Sequence, residues 1–408
     1  MPPSAVKQIA PARKSPSEHA RPPRVALLIE TSNAYARGLL DGVTAYLREH
    51  RPWSIYLSEH GRGDSVPHWL QGWRGDGILA RIENKAIADA VAERNLPSVD
   101  LSAARLLPGI PWAETDDALI ARNAFQHLRD RGFRHVGFCG LKEYNWSVWR
   151  CEHFRKLAAE ANCECSVYMV SPRSGRAADW SKDQADLARW LKGLQKPVGV
   201  FACFDILGRQ VLDACRAARL RVPDDVAVIG VDNDPVLCEL SDPPLSSVSP
   251  DTRRTGYTAA SLLDKLMLGE SVPPEAHLIP PMGVVARRST DALAIEDAEV
   301  SAAVRYIREH ACDGIGIDQV LEVVPLSRRA LESRFRKLLG RTPHEEIVRV
   351  QIERARELLT QTDLPLKAIA NRLSIPHAEY LNVLFKRVVG EPPGTYRKNF
   401  RNASLPTV

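Results

Sequence analysis

Along residues 24–288, short apolar runs alternate with longer segments of helical period. The runs are Arg24–Glu30, Trp53–Glu59, Gly77–Arg81, Pro97–Leu101, His135–Gly140, Cys165–Val170, Val198–Phe204 and Val226–Val231. Between them, Ala36–Glu49, Ala86–Arg94, Leu119–Arg131, Arg150–Ala161, Asp183–Lys192 and Leu207–Ala218 place apolar residues on one helical face. Strands apolar on both sides belong to parallel sheets covered by helices on each face. The order predicts two α/β lobes dividing near Arg131–Arg134. Pro243–Val248 and Ala276–Arg288 predict extended segments around a helix at Thr255–Leu268, and the polar stretch 289–298 reads as a linker.

From Glu299 the strands vanish and a repeat appears at an offset of about fifty residues. Ile317, Val320, Leu321 and Val324 are apolar at i, i+3, i+4 and i+7; Leu366, Ile369, Ala370 and Leu373 repeat that spacing. Each short helix is followed by a turn with Pro325 or Pro376, then by a longer helix. The buried face of the longer helix reads Leu331, Phe335, Leu338 in one copy and Leu381, Phe385, Val388 in the other. Gly340 and Gly390 suit left-handed helix ends, and Ser327 suits an N-cap. This is helix-turn-helix geometry, whose second helix enters the DNA major groove. Pro343–Thr360 reads as one helix joining the units, so one chain can address two adjacent grooves.

Charge distribution supports an anionic partner at that end. Residues 299–408 carry 18 Lys+Arg against 13 Asp+Glu, while the whole chain is only +5. Residues 1–23, rich in Pro, Ala, Ser and basic side chains, cannot bury enough surface to order and read as a disordered tail; residues 401–408 read as a C-terminal tail. The 8 cysteines show no zinc-ligand spacing and read as reduced thiols of a cytoplasmic protein. No apolar run is long enough to cross a membrane.

The segment Leu381–Arg397, with Phe385-Lys386, Gly390 and Pro393, and Tyr396-Arg397, resembles the signature of the AraC/XylS family of transcription regulators. The resemblance spans residues 299–400 and implies an all-α DNA-binding domain. It implies base reading by Arg329, Glu332 and Ser333 in the first unit and by His377, Glu379 and Asn382 in the second. Arg328, Arg336, Lys386 and Arg397 then fall at phosphate contacts. One departure stands before the second recognition helix: Ser374-Ile375 replaces the family's glycine and aromatic residue.

The α/β region has no G-x-G-x-x-G after its first strand, no Walker A sequence and no G-x-S-x-G elbow. The chain therefore reads as no enzyme, with no cofactor and no metal. Arg24–Val43, Val198–Gly208 and Val226–Asp234 resemble periplasmic sugar-binding proteins and the effector domains of the LacI/GalR family. Polar residues gather where the strands end, as ligand sites of parallel sheets require. The resemblance implies hydroxyl binding by Asn33, Arg150, Asp205 and Asp232, and ring packing by Tyr35, with Trp146 and Trp149 as further walls. Asp116 reads as a hinge or helix cap. The order of sensor before DNA-binding domain resembles the xylose-responsive branch of the AraC/XylS family. It implies a homodimer on double-stranded DNA, D-xylose as effector, and contact with RNA polymerase. Two readings stay open: a sugar-controlled regulator, and an effector-independent one whose α/β domain serves only dimerisation.

Overall fold

In a computed structural model, the chain is described over residues 21–404, apart from residues 60, 62–63, 171–179, 292–294 and 296. The first lobe opens with β1 (Arg24–Leu28), α1 (Ala34–Glu49), β2 (Ser54–Leu57), α2 (His68–Gln71), β3 (Gly77–Ala80), α3 (Lys85–Ala92), β4 (Ser98–Asp100) and β5 (Trp112–Thr115). The second lobe follows as α4 (Asp117–Asp130), β6 (His135–Leu141), α5 (Asn145–Glu160), β7 (Glu164–Val170), α6 (Trp180–Gly193), β8 (Val198–Ala202), α7 (Asp205–Ala217), β9 (Val226–Val231), α8 (Pro235–Leu240) and β10 (Ser246–Ser249). The chain then returns to the first lobe with α9 (Thr252–Met267) and β11 (Ala276–Ile279), and crosses once more to β12 (Gly283–Val285). Two six-stranded sheets result, ordered β11-β5-β4-β3-β1-β2 and β12-β10-β9-β8-β6-β7. Every recorded pairing is parallel except that of β10 with β12.

The division between lobes lies at Thr115–Asp117, not near Arg131–Arg134. Ile120, Ala121, Ala124 and Leu128 of α4 are fully buried against the second lobe's core with Phe133 and Phe138. A four-residue crossing strand, β5, carries too few residues for its period to show. The lobes are also not simply consecutive, because α9 packs back on α1. That crossing is tight: a Cβ on Gly42 would lie 2.0 Å from the Arg253 carbonyl oxygen, and one on Gly256 2.0 Å from that of Leu39. Only glycine lets two helix backbones approach this closely.

The DNA-binding region comprises α10 (Ala298–His310), α11 (Ile317–Glu322), α12 (Arg328–Leu339), α13 (Pro343–Gln361), α14 (Leu366–Arg372), α15 (Ala378–Val389) and α16 (Pro393–Ser404). Residues 401–404 are thus helical rather than tail. The expected linker begins later than residue 289. Ser289 and Thr290 are buried, with the Ser289 hydroxyl donating to the Val228 carbonyl at 2.6 Å. Asp297 caps α10, its carboxylate accepting from Val300 N at 3.1 Å. The third buried positions of the recognition helices are Leu339 and Leu384; Val388 is exposed. Buried Gln351 on α13 donates to the carbonyls of Ala311, just after α10, at 2.9 Å, and of Leu373, at the end of α14, at 3.1 Å. The expected tail at 1–23 lies mostly outside the described residues. Among the described residues no helix is long and apolar enough to cross a membrane.

Candidate functional site

The three crossings leave a cleft between the lobes, lined by residues of both. Strand ends and helix starts furnish its lining, because side chains there escape both the sheet's own packing and the helices that cover it. Tyr35, Arg81, Ser102 and Glu114 come from the first lobe; Asp117, Trp146, Arg150, Phe204 and Asp232 come from the second.

Two arginines organise the lining, and each is neutralised within the protein. Arg150, 4% exposed, donates from Nε to Asp117 Oδ1 at 2.6 Å and from Nη1 to the Cys203 carbonyl at 2.6 Å. Its guanidinium lies 5.0 Å from the Trp146 ring centre. Arg81 donates from Nη1 to Glu30 Oε2 at 2.8 Å, pairs also with Glu83, and lies 5.2 Å from the Tyr35 ring centre. Burial raises the Tyr35 hydroxyl above its ordinary pKa, against the pull of Arg81, so it stays a neutral donor and acceptor. Glu114 pairs with Arg105 through one oxygen and has the Trp112 indole beside it. Burial pushes that carboxyl up to about 6, against the pull of Arg105. Asp232 reaches the cleft from a strained turn: Asp232 and Asn233 have φ of 105° and 49°, unusual for residues with a Cβ. The Asp232 N–H donates to the Val248 carbonyl at 3.1 Å, and Asn233 N to Ser247 Oγ at 3.0 Å, holding the turn.

The lobes meet at the cleft mouth. Arg105 of the first lobe lies 4.4 Å from the ring centre of Trp149 on α5, and Asn145 Nδ2 donates to the Ala103 carbonyl at 3.3 Å. Of the five residues expected at the ligand, Tyr35, Arg150 and Asp232 line the cleft. Arg150 sits in the second turn of α5 rather than opening it, since the helix starts at Asn145. Asn33 instead caps α1, its Oδ1 accepting from Ala36 N at 2.8 Å. Asp205 is buried beneath the cleft floor, accepting from Ser247 Oγ at 2.6 Å and Asp234 N at 2.9 Å. Burial first, then the charge of Asp232, pushes its carboxyl up to about 8. Asp116 caps α4 as expected, accepting from Leu119 N at 2.9 Å. The sequence reading missed Arg81, Glu114 and Asp117. Arg81 follows an apolar run, Glu114 lies in β5 and Asp117 opens α4 just after it; a charge closing a buried strand was the available signal.

A second junction joins the sensor to the DNA-binding region at the far end of α4. Arg341 donates from Nη1 to Asp130 Oδ1 and from Nη2 to the Asp130 carbonyl, both at 2.8 Å. Arg349 lies 3.8 Å from the same carboxylate, and Arg308 donates to the same carbonyl at 3.4 Å. Fully buried Glu346 gathers Arg341 and Arg349. Arg131 Nη1 donates to His127 Nδ1 at 3.1 Å, which leaves the ring neutral with its proton on Nε2, donating to Thr290 Oγ1 at 2.8 Å. Burial, with Arg308 and Arg349 nearby, lowers the Arg131 pKa to about 9.

On the recognition helices, Arg328, Arg329, Ser333 and Arg336 of α12 are exposed, and Glu332 is half-exposed, paired with Arg328 at 3.3 Å. Ser327 caps α12, accepting from Ala330 N at 3.3 Å. Glu379, Asn382 and Lys386 are exposed on α15, and exposed His377 stands at its N-cap position. Arg397, expected at a phosphate, is half-buried, and its guanidinium donates to the Leu364 carbonyl, tying α16 to the loop before α14. The departure at Ser374-Ile375 keeps the turn. Ser374 adopts the left-handed φ of 52° that glycine would take, its hydroxyl donating to the Cys312 carbonyl at 2.8 Å, and Ile375 is buried where an aromatic would be.

Three family models match the chain in succession: an XylR N-terminal domain over residues 24–117, a periplasmic binding protein-like domain over 125–290, and a helix-turn-helix domain over 321–399. The xylose operon regulatory protein of Escherichia coli K12 is 35% identical over 384 residues, covering 92% of this chain and 96% of the relative. That of Haemophilus influenzae is 31% identical over 386 residues, covering 92% and 98%. A solved structure of the xylose-binding transcription activator xylR is 34% identical, covers 93% of this chain and 98% of its own, and superposes with a TM-score of 0.61.

Proposed function

We infer the function of this chain from its family: it belongs to the xylose operon regulatory proteins, DNA-binding transcription regulators rather than enzymes. The effector is a small neutral sugar, D-xylose, held between the lobes of the sensor domain. The observation that carries this is the charge balance of the cleft. Arg81 and Arg150 are each already matched by carboxylates, so the site has no net positive charge to offer an anion. What it offers is a dense set of donors and acceptors, Glu114, Asp117, Arg150 and Asp232 among them, beside the Tyr35 and Trp146 rings. A polyol, whose every hydroxyl both donates and accepts, is the complementary ligand. A domain serving dimerisation alone has no use for such a lining.

Sugar bridging the lobes favours the closed arrangement, and α4 carries the change. Its first turn pairs with Arg150 in the cleft, and its last residue grips Arg341 outside it. The cleft set is Tyr35, Arg81, Glu114, Asp117, Arg150 and Asp232. Arg329, Glu332, Ser333, Glu379 and Asn382 read bases, and Arg328, Arg336 and Lys386 hold phosphates. The protein works in the cytoplasm as a homodimer, activates sugar-use genes and contacts RNA polymerase. Strand β2, at the edge of its sheet with Ile55, Tyr56 and Leu57 exposed, supplies an apolar edge that a second copy would cover. Calorimetry against a panel of pentoses and hexoses tests the reading. Binding of D-xylose above the others is expected; absence of heat with every sugar refutes it.

A further inference from the structure

The two recognition helices are equal in length and offset by fifty residues. Helix α12 covers residues 328–339 and α15 covers 378–389; each ends on a left-handed glycine, Gly340 or Gly390. In that register Arg329 falls on Glu379, Glu332 on Asn382, Arg336 on Lys386, and Ser333 on Val383. His377 falls on Ser327, the cap residue outside the helix. Val383 is 60% exposed and Tyr380, one turn before it, 48%. Neither joins the buried stripe of Leu381, Leu384 and Phe385. Positions three and four apart are neighbours on a helix surface, so Val383 lies between Glu379 and Lys386 and touches the row of Tyr380. The first unit carries Ala330 and Ser333 at these two places, so the fold itself does not require large apolar groups there.

We propose that Val383, with Tyr380 beside it, is a base-reading residue of the second unit and takes the 5-methyl group of thymine by apolar contact. The proposal rests on the reading of the chain as a DNA-binding regulator. Valine has no donor or acceptor with which to meet a base edge. The thymine methyl is the apolar group displayed in the major groove, and side chains such as alanine, the threonine methyl and phenylalanine meet it elsewhere. The first unit, with Arg329 and Ser333 in the equivalent register, reads by hydrogen bonds; the second adds a methyl reader. Removing one methyl-sized contact from water corresponds to ~0.8 kcal/mol, about fourfold in affinity.

The test uses the full-length protein with D-xylose present. A duplex is selected from a randomised library, and each thymine in it is replaced singly by deoxyuridine, which lacks only the 5-methyl group. The half-site of the second unit is located as the positions where Asn382→Ala relaxes base preference. The wild type is expected to lose about fourfold at one or two thymines there, whereas Val383→Ser, which installs the residue of the first unit, binds the thymine and deoxyuridine duplexes equally and keeps its preferences in the other half-site. A Val383→Ser variant that retains the wild-type thymine preference at every position overturns the proposal, as does a wild type indifferent to every replacement. If the library yields no preferred sequence, the DNA-binding reading itself fails and the proposal falls with it.

Discussion

Asp130→Asn should separate sugar binding from its consequence for DNA. Asp130 closes α4, whose opening residue, Asp117, pairs with Arg150 in the cleft. At 1.5 Å per residue the two ends lie about 20 Å apart. The replacement keeps the shape of the side chain and the main-chain carbonyl that accepts from Arg341 and Arg308, and removes only the charge. The Asp130–Arg341 pair is 12–13% exposed, where a hydrogen bond to a charged group contributes about 1.5–3 kcal/mol. Arg341 retains Glu346, which places the loss at the lower end, ~1.5–2 kcal/mol. That is as large as a typical coupling free energy between two sites, about 1–3 kcal/mol. Calorimetry without DNA is expected to give a sugar Kd within about twofold of wild type, since the junction is remote from the cleft. Fluorescence anisotropy with operator DNA is expected to show the sugar-dependent change in affinity shrinking by about 10- to 30-fold. An undiminished sugar response in Asp130→Asn refutes α4 as the link.

Other substitutions probe the cleft and the frame around it. Arg150→Met removes a charged donor from the cleft and should weaken sugar binding by roughly 10- to 150-fold, equivalent to about 1.5–3 kcal/mol; retained affinity in a protein with a native circular dichroism spectrum counts against its role. Glu114 is protonated below about 6 and accepts hydroxyls best when ionised, so calorimetry at a series of pH values should show affinity falling as pH drops through that value. Glu114→Gln should give a flat profile, and a flat wild-type profile would contradict the assignment. Gly256→Ala forces a methyl group against the Leu39 carbonyl and should cost about 3 kcal/mol of stability in urea unfolding. Asn33→Ala should lose only the cap, about 1 kcal/mol by thermal unfolding, with sugar affinity within a few-fold of wild type; a large loss of affinity would return Asn33 to the site.

Much of this architecture was legible because burial on both faces leaves unbroken apolar runs, as at Val198–Phe204 and Val226–Val231. The paired DNA-reading units were legible because their helices keep one apolar face at a fixed offset. What escaped reading was short or long-range. Strand β5 is four residues long, and α9 joins the first lobe through contacts with α1 and with the sheet that lie more than a hundred residues away in sequence. In the cleft, resemblance located Tyr35, Arg150 and Asp232 but also Asn33 and Asp205, because position after a strand does not say whether a side chain turns to the cleft, to its own helix or to the floor. Arg397 failed for a related reason. A basic residue near a recognition helix reads as a phosphate contact until its guanidinium is seen to find a carbonyl.

The amide of Gln351, which holds the Ala311 carbonyl ahead of the first helix-turn-helix unit and the Leu373 carbonyl within the second, makes α13 a ruler as well as a support. An extra base pair between the two sites it addresses would turn the second by about a tenth of a helical revolution and slide it along the axis. A single helix tied at its middle to both sides by buried hydrogen bonds has little slack with which to follow. Operators recognised by this chain are therefore free to drift in base identity, where single contacts are lost one at a time, but not in spacing, where a single insertion disengages a whole unit. Genes under its control should be found by the distance between their half-sites more reliably than by the letters within them.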